Sequence, residues 1–169
     1  MNSSITPLVQ QLAQTLLAKG LKIASAESCT GGLLAAHLTS LAGSSDWFER
    51  GFITYSNQAK EESIGVSKEL IEQYGAVSEE VAKAMAKGAL NHSLAQVSVA
   101  ITGIAGPGGG SANKPVGMIC FAWGVRVDDQ IQTRAQTKHF SGDRQSIREQ
   151  ACVYAIESLL GQLTASESH

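Results

Sequence analysis

Three short apolar runs in this chain each end in a polar or glycine-rich turn, and this pattern restricts the fold more than any other feature. The runs are Leu21 to Ala26, Gly51 to Tyr55 and Val97 to Ile101. The turns they feed are Glu27 to Gly32, Ser56-Asn57 and Thr102 to Gly110. Apolar runs of this length bounded by turn residues read as buried strands, and the segments between them carry helical spacing. Strands separated by helices pair in parallel, because a parallel connection needs a long crossover. Two further runs, Gly117 to Arg126 and Ile131 to Phe140, flank Asp128-Asp129 and read as an antiparallel hairpin. The expected fold is therefore α/β, a three-layer α/β/α sandwich on a mixed sheet.

The helices follow from spacing and punctuation. Thr6 is expected to cap a first helix with Pro7 at its first position, a Leu8, Leu12, Leu16 and Leu17 stripe, and Gly20 as its stop. Leu33 to Leu41 reads as a second helix. Asn57 is expected to cap a short one over Gln58 to Ile64, which Gly65 ends. Ser67 to Tyr74 and Ser78 to Leu90 supply two more, the latter with Val77, Val81, Met85 and Leu90 inward. The last begins near Gly142-Asp143-Arg144 and runs to Leu163, with Ile147, Ala151, Tyr154 and Leu159 on its buried side. Trp47 and Phe48 stand together in a chain that is 5% aromatic, and read as core, as an apolar rim for a flat ring, or as a subunit contact. The whole of residues 1–169 is expected to be one domain with its core from about 8 to 163, followed by a polar tail from Thr164 to His169.

Composition removes several classes of function. A formal net charge of -2 and the lack of a basic run give no footprint for nucleic acid. Met1 to Pro7 lacks a basic segment followed by an apolar one, so no signal peptide is expected, and no apolar stretch approaches the ~18 residues of a membrane span. Cys29, Cys120 and Cys152 are odd in number and scattered, which suits a reduced, cytoplasmic protein.

In open α/β sheets the ligand crevice lies beyond the carboxyl ends of the strands, where all three turns sit. The loop from Thr102 to Gly110 lacks the Lys-Ser or Lys-Thr of a P-loop, and Pro115 and a strand follow it where a dinucleotide fold needs a helix. His37, His92, His139 and His169 have no zinc-like spacing, no G-x-S-x-G occurs, and no histidine stands at a strand end to complete a triad. The Ser28 turn reads either as a helix cap with permissive glycines or as a turn that exposes one nucleophile. Lys60 reads either as a surface lysine or as the base for Ser28, a role that requires burial to lower its pKa. Tyr55 is in position to relay or orient a proton, and Cys29 is the rival nucleophile.

Five stretches together resemble one family. AESCTGG (26–32), AGSSDWFERGFITYSNQAK (42–60), GAVSEEVAKAMA (75–86), TGIAGPGGG with KPVG (102–117) and FSGDR (140–144) are similar to the C-terminal domain of the competence/damage-inducible protein CinA. More narrowly they resemble the stand-alone nicotinamide-nucleotide amidohydrolases of the PncC type. The resemblance implies hydrolysis of the carboxamide of nicotinamide mononucleotide in pyridine-nucleotide recycling, with Ser28 as nucleophile, Lys60 as general base and Tyr55 associated with them. On that reading the N–H groups of Thr30, Gly31 and Gly32 hold the oxyanion, and Thr102-Gly103 or Arg144 clamps the phosphate. Asp143 is a helix-start residue, and Glu27 orients backbone or lysine. No metal or organic cofactor is called for, and a homodimer is expected. Two other readings stay open: a nucleotide sensor whose Lys60 stays protonated, and a Ser-Lys hydrolase of another amide or of a phosphate ester.

Overall fold

The computed structural model describes residues 4–165. Five strands, β1 (Ile23–Glu27), β2 (Phe48–Ile53), β3 (Val97–Gly103), β4 (Met118–Val127) and β5 (Gln130–His139), form one sheet in the order β2-β1-β3-β4-β5. β1 is parallel to both β2 and β3, while β4 is antiparallel to its two neighbours, β3 and β5. Six helices cover the sheet: α1 (Ile5–Lys19), α2 (Leu33–Thr39), α3 (Asn57–Ile64), α4 (Lys68–Tyr74), α5 (Glu79–Asn91) and α6 (Arg144–Ala165). Among the described residues no helix is long and apolar enough to cross a membrane.

Alternation along the strands assigns the two faces. Ile23, Val99, Ile101, Phe121 and Trp123 meet α1, α2 and α6 in one core. Ala24, Ala26, Ala100, Cys120 and Ala122 meet α3, α4 and α5 in the other. The second face is made of small side chains, so α5 lies close to the strands, and Ser98 Oγ reaches across to donate to Ala86 O at 2.8 Å. Gly88 of α5 allows an equally close approach to α3. A Cβ there would overlap the Ile64 carbonyl oxygen and stand 3.0 Å from Ile64 Cβ. This is the expected three-layer sandwich.

Several local details differ from expectation. α1 begins at Ile5, ahead of Thr6, with Ser4 in the cap position and Pro7 inside the first turn, where its missing N–H has no partner to lose. Ser56, not Asn57, caps α3 by accepting the Ala59 N–H at 3.0 Å. Ser67 and Ser78, expected as the first residues of two helices, are the side-chain caps of α4 and α5. Asp128 and Asp129 both adopt left-handed backbone, φ 49° and 67°, the two-residue turn whose twist matches a hairpin. Trp47 is 1% exposed in the core and Phe48 is half-buried against the same cluster, so the core reading holds for Trp47. The tail read from Thr164 starts inside α6; residues 1–3 and 166–169, His169 among them, lie outside the described residues.

Candidate active site

Because β2, β1 and β3 are adjacent and parallel, their carboxyl ends bring the three turns together, and an open cavity of about 280 Å³ lies between them. Ser28, Cys29, Tyr55, Asn57, Lys60, Thr102, Gly103 and Arg144 line it, with residues of the glycine-rich loop. Lys60 points inward from α3, one turn past the Ser56 cap, and is 1% exposed. Its Nζ lies 3.1 Å from Ser28 Oγ, 2.9 Å from Thr54 O and 3.4 Å from Tyr55 O. Burial lowers its pKa from the usual lysine value of 10.5. Glu61 and Glu62 do not oppose this. Glu62 accepts from Gln58 on the outer side of α3, and neither acid takes a hydrogen bond from Lys60. A neutral amine has two N–H groups and one lone pair. Two carbonyls and one hydroxyl surround Nζ; the carbonyls can only accept, while the Ser28 hydroxyl can accept from the amine or donate to its lone pair once the amine is neutral.

The Ser28 turn is held from behind. Ser28 N–H donates to Ile101 O and Ser28 O accepts from Gly31 N–H, both at 3.0 Å. Gly32 occupies the cap position of α2 and has no side chain to offer. Glu27, 1% exposed, replaces it: its two carboxylate oxygens accept from Leu34 N at 2.9 Å and Ala35 N at 3.0 Å. Of the two roles expected for Glu27, the backbone one is observed. From α6, Arg148 donates through Nε to Cys29 O at 3.3 Å and through Nη2 to Thr30 O at 2.9 Å. Sequence reasoning missed Arg148 altogether, since nothing local marks one arginine on a long helix as reaching a distant turn.

Thr30, Gly31 and Gly32 form the rear of this turn and do not line the cavity. Thr30 is fully buried, the Gly31 N–H is bonded to Ser28 O, and Gly32 abuts the Ile53 side chain. Just beyond them, the Leu34 and Ala35 N–H groups of α2 face Glu27.

Tyr55 also sits differently from expectation. Its carbonyl borders the Ser28–Lys60 pair, with Ser28 Oγ 3.4 Å away, while its hydroxyl accepts from Arg144 Nη2 at 3.2 Å. Arg144 donates its other arm to Gly106 O at 2.7 Å and takes no carboxylate partner among the described residues. Asp143 caps α6 through Ser146 N, as a helix-start residue should. The Thr102 hydroxyl is bonded to Ala76 O at 2.9 Å and shapes the cavity wall. Cys29 is 7% exposed, and burial pushes its thiol up to about 12, which keeps it protonated and unreactive. His37 is buried against Glu149, at 2.9 Å, far from this chemistry. Among the described residues no group of three or more His, Cys, Asp or Glu side chains is arranged to hold a metal ion.

A mixed sheet with a serine and a buried lysine at its parallel strand ends thus joins the quoted motifs, and the chain belongs to the CinA C-terminal domain family, which matches residues 5–163. Within that family it is 49% identical over 161 residues to the nicotinamide-nucleotide amidohydrolase PncC of Escherichia coli K12, covering 95% of this chain and 96% of that enzyme. A CinA-like protein of Syntrophobacter fumaroxidans is 50% identical over 158 residues, spanning 93% of this chain and 36% of the longer one. The crystal structure of the competence/damage inducible protein CihA from Agrobacterium tumefaciens superposes with a TM-score of 0.89 at 41% identity, covering 97% of this chain and 98% of that one.

Proposed function

We propose that this protein hydrolyses the carboxamide of nicotinamide mononucleotide to nicotinate mononucleotide and ammonia, by acyl transfer through Ser28. The observation that carries the chemistry is the 3.1 Å approach of Lys60 Nζ to Ser28 Oγ with the lysine buried. The substrate class comes from the near full-length match to the E. coli amidohydrolase. Neutral Lys60 accepts the Ser28 proton as Oγ attacks the carboxamide carbon. The tetrahedral adduct collapses as Lys60 returns that proton to the leaving nitrogen, and ammonia departs. Water, deprotonated by Lys60, then cleaves the nicotinoyl ester and restores the free serine.

Arg144 is the phosphate contact in this reading. Its guanidinium stands at the cavity wall on two neutral acceptors, Gly106 O and the Tyr55 hydroxyl, and a planar fork suits two phosphate oxygens. Its bond to the Tyr55 hydroxyl links phosphate binding to the segment that borders Lys60. A role in pyridine-nucleotide recycling in the cytoplasm follows from the same substrate.

The test is ammonia release from nicotinamide mononucleotide by the wild type, Ser28→Ala and Lys60→Ala, each confirmed folded by circular dichroism. Activity in the wild type alone supports the proposal. Tight binding without ammonia from the wild type replaces it with a nucleotide sensor, and inorganic phosphate in place of ammonia makes the protein an esterase.

A further inference from the structure

An acyl transfer through Ser28 needs a donor for the oxygen that becomes negative. Glu27 takes the Leu34 and Ala35 N–H groups, Ser28 O takes that of Gly31, and Thr30 and Gly32 do not line the cavity, whereas the end of β3 does. Successive N–H groups along a strand point to opposite neighbours, so the partners of β3 can be read off by parity. Ile101 O accepts from Ser28 N on the β1 side, and Ile104 N donates to Met118 O on the β4 side. Odd-numbered residues of β3 therefore face β1, and even-numbered ones face β4. Gly103 is odd, and its N–H is the next rung beyond the last β1–β3 pair, Glu27 with Ile101.

The acceptor that a continued parallel ladder would use is the Ser28 carbonyl. That carbonyl is taken by the Gly31 N–H at 3.0 Å, because the chain turns at Ser28 instead of extending. The Gly103 N–H is left directed at the Ser28 turn, at the edge of the cavity both residues line, with no acceptor among the described residues. Its position is fixed from the opposite side. A Cβ at Gly103 would overlap the Ile119 side chain and stand 2.7 Å from Met118 O, so the strand end is pressed onto β4.

We infer that the main-chain N–H of Gly103 is an oxyanion donor of this enzyme. The inference rests on the amidase reading. As Ser28 Oγ bonds to the carboxamide carbon, the C=O pair moves onto oxygen, and the Gly103 N–H holds that oxygen. When the C–N bond breaks, the pair returns to re-form the carbonyl, and the nitrogen leaves as ammonia with the proton from Lys60. The same donor serves the second adduct, formed by water on the ester. Gly103 is thereby assigned to the reacting carbonyl, and the phosphate is left to Arg144.

A side chain cannot be introduced at Gly103 without displacing β4, so the test replaces the N–H itself. Glycolic acid incorporated at position 103 of the full chain turns that amide into an ester and deletes one hydrogen. The α-hydroxy analogue of isoleucine at position 104 deletes the neighbouring N–H, which is a ladder bond to Met118 O. The ester at 103 is expected to lower kcat for nicotinamide mononucleotide about 10²- to 10³-fold with KM within about 3-fold, as for removal of one such donor elsewhere. The ester at 104 is expected to lower the melting temperature and leave kcat within about 3-fold, as befits a bond that only supports structure. A folded 103 ester with wild-type kcat overturns the inference. If that ester does not fold, the ¹H–¹⁵N resonance of Gly103 in the wild type decides. On addition of the formyl analogue of the mononucleotide, which forms a hemiacetal with serine, a downfield proton shift supports the inference and an unmoved resonance overturns it. Absence of ammonia from the wild type itself would remove the amidase reading instead.

Discussion

Replacing Glu27 by glutamine changes one atom type beside the nucleophile and should be costly for a specific reason. The side chain is 1% exposed, and each carboxylate oxygen accepts a backbone N–H of α2, at 2.9 and 3.0 Å. Glutamine keeps one acceptor oxygen and sets an NH₂ group against the other N–H, a donor facing a donor. The retained bond loses its charge assistance, worth about 1 kcal/mol, and the other N–H is left unpaired at about 1–3 kcal/mol. The loss of a negative charge at a helix start adds about 0.5 kcal/mol. Together these predict a loss near 3 kcal/mol, or a fall of about 6–12 °C in melting temperature for a domain of this size. Urea titration followed by circular dichroism measures the first number and a thermal scan the second. Because Glu27 precedes Ser28 directly, kcat should fall as well, while KM for the mononucleotide holds. A Glu27→Gln protein within 0.5 kcal/mol of wild type would refute the claim that this carboxylate closes α2.

Four further outcomes follow from the site. The acidic limb of kcat/KM belongs to Lys60 and should lie below the ordinary lysine range, since burial lowers its pKa from 10.5; activity rises with pH through that limb, and Lys60→Ala should lose about 10²- to 10⁴-fold in kcat. The same depressed pKa opposes folding by an amount that is full below the folded pKa and disappears as pH rises past about 10.4, so any stability gained by Lys60→Met should shrink in that window when unfolding is followed against pH. Cys29→Ala should retain activity and Cys29 should resist thiol reagents in the native state, because its thiol is held near 12 and is 7% exposed; rapid labelling with loss of activity would revive it as nucleophile. Arg144→Ala should raise KM for the mononucleotide about 10- to 100-fold, the scale of a lost charged hydrogen bond, and leave KM for the phosphate-free riboside nearly unchanged; equal effects on both would move the phosphate elsewhere.

Much of this architecture was legible in the chain because its signals are local. Apolar runs and hairpin turns carry their meaning within a few residues, so four of the strands, the Asp128-Asp129 hairpin and the helices starting near Ser67 and Ser78 fall within a residue or two of expectation, while β2 starts three residues earlier, at Phe48. The Ser28 and Lys60 positions were marked by strand ends and by motif, but their contact depends on β1 and β2 being neighbours, a tertiary fact. The back of the turn holds contacts that local sequence does not display. A glycine pair before a helix looks like a free set of N–H donors, and only the fold shows the Gly31 N–H bonded to Ser28 O and Glu27 doubling back onto Leu34 and Ala35. Tyr55 was expected to act through its phenol, yet its main chain borders the lysine and the ring turns toward Arg144, a choice of rotamer that sequence does not encode. Arg148 lay beyond reach, since its partners stand far away in sequence.

Gly88 stands outside the cavity and touches nothing in it, yet it sets a dimension of the site. Lys60 and Ile64 share one face of α3, a single turn apart, so the helix cannot shift at Ile64 without carrying the amine along. The carbonyl of Ile64 rests where a methyl group on residue 88 would stand. The missing carbon acts as a depth stop: it fixes how far α3 seats and so how far the amine projects toward the serine. An enzyme engineer wanting a graded series of Ser–Lys separations in an otherwise intact pocket would find the adjustment screw here, on the opposite helix, not among the residues that meet substrate.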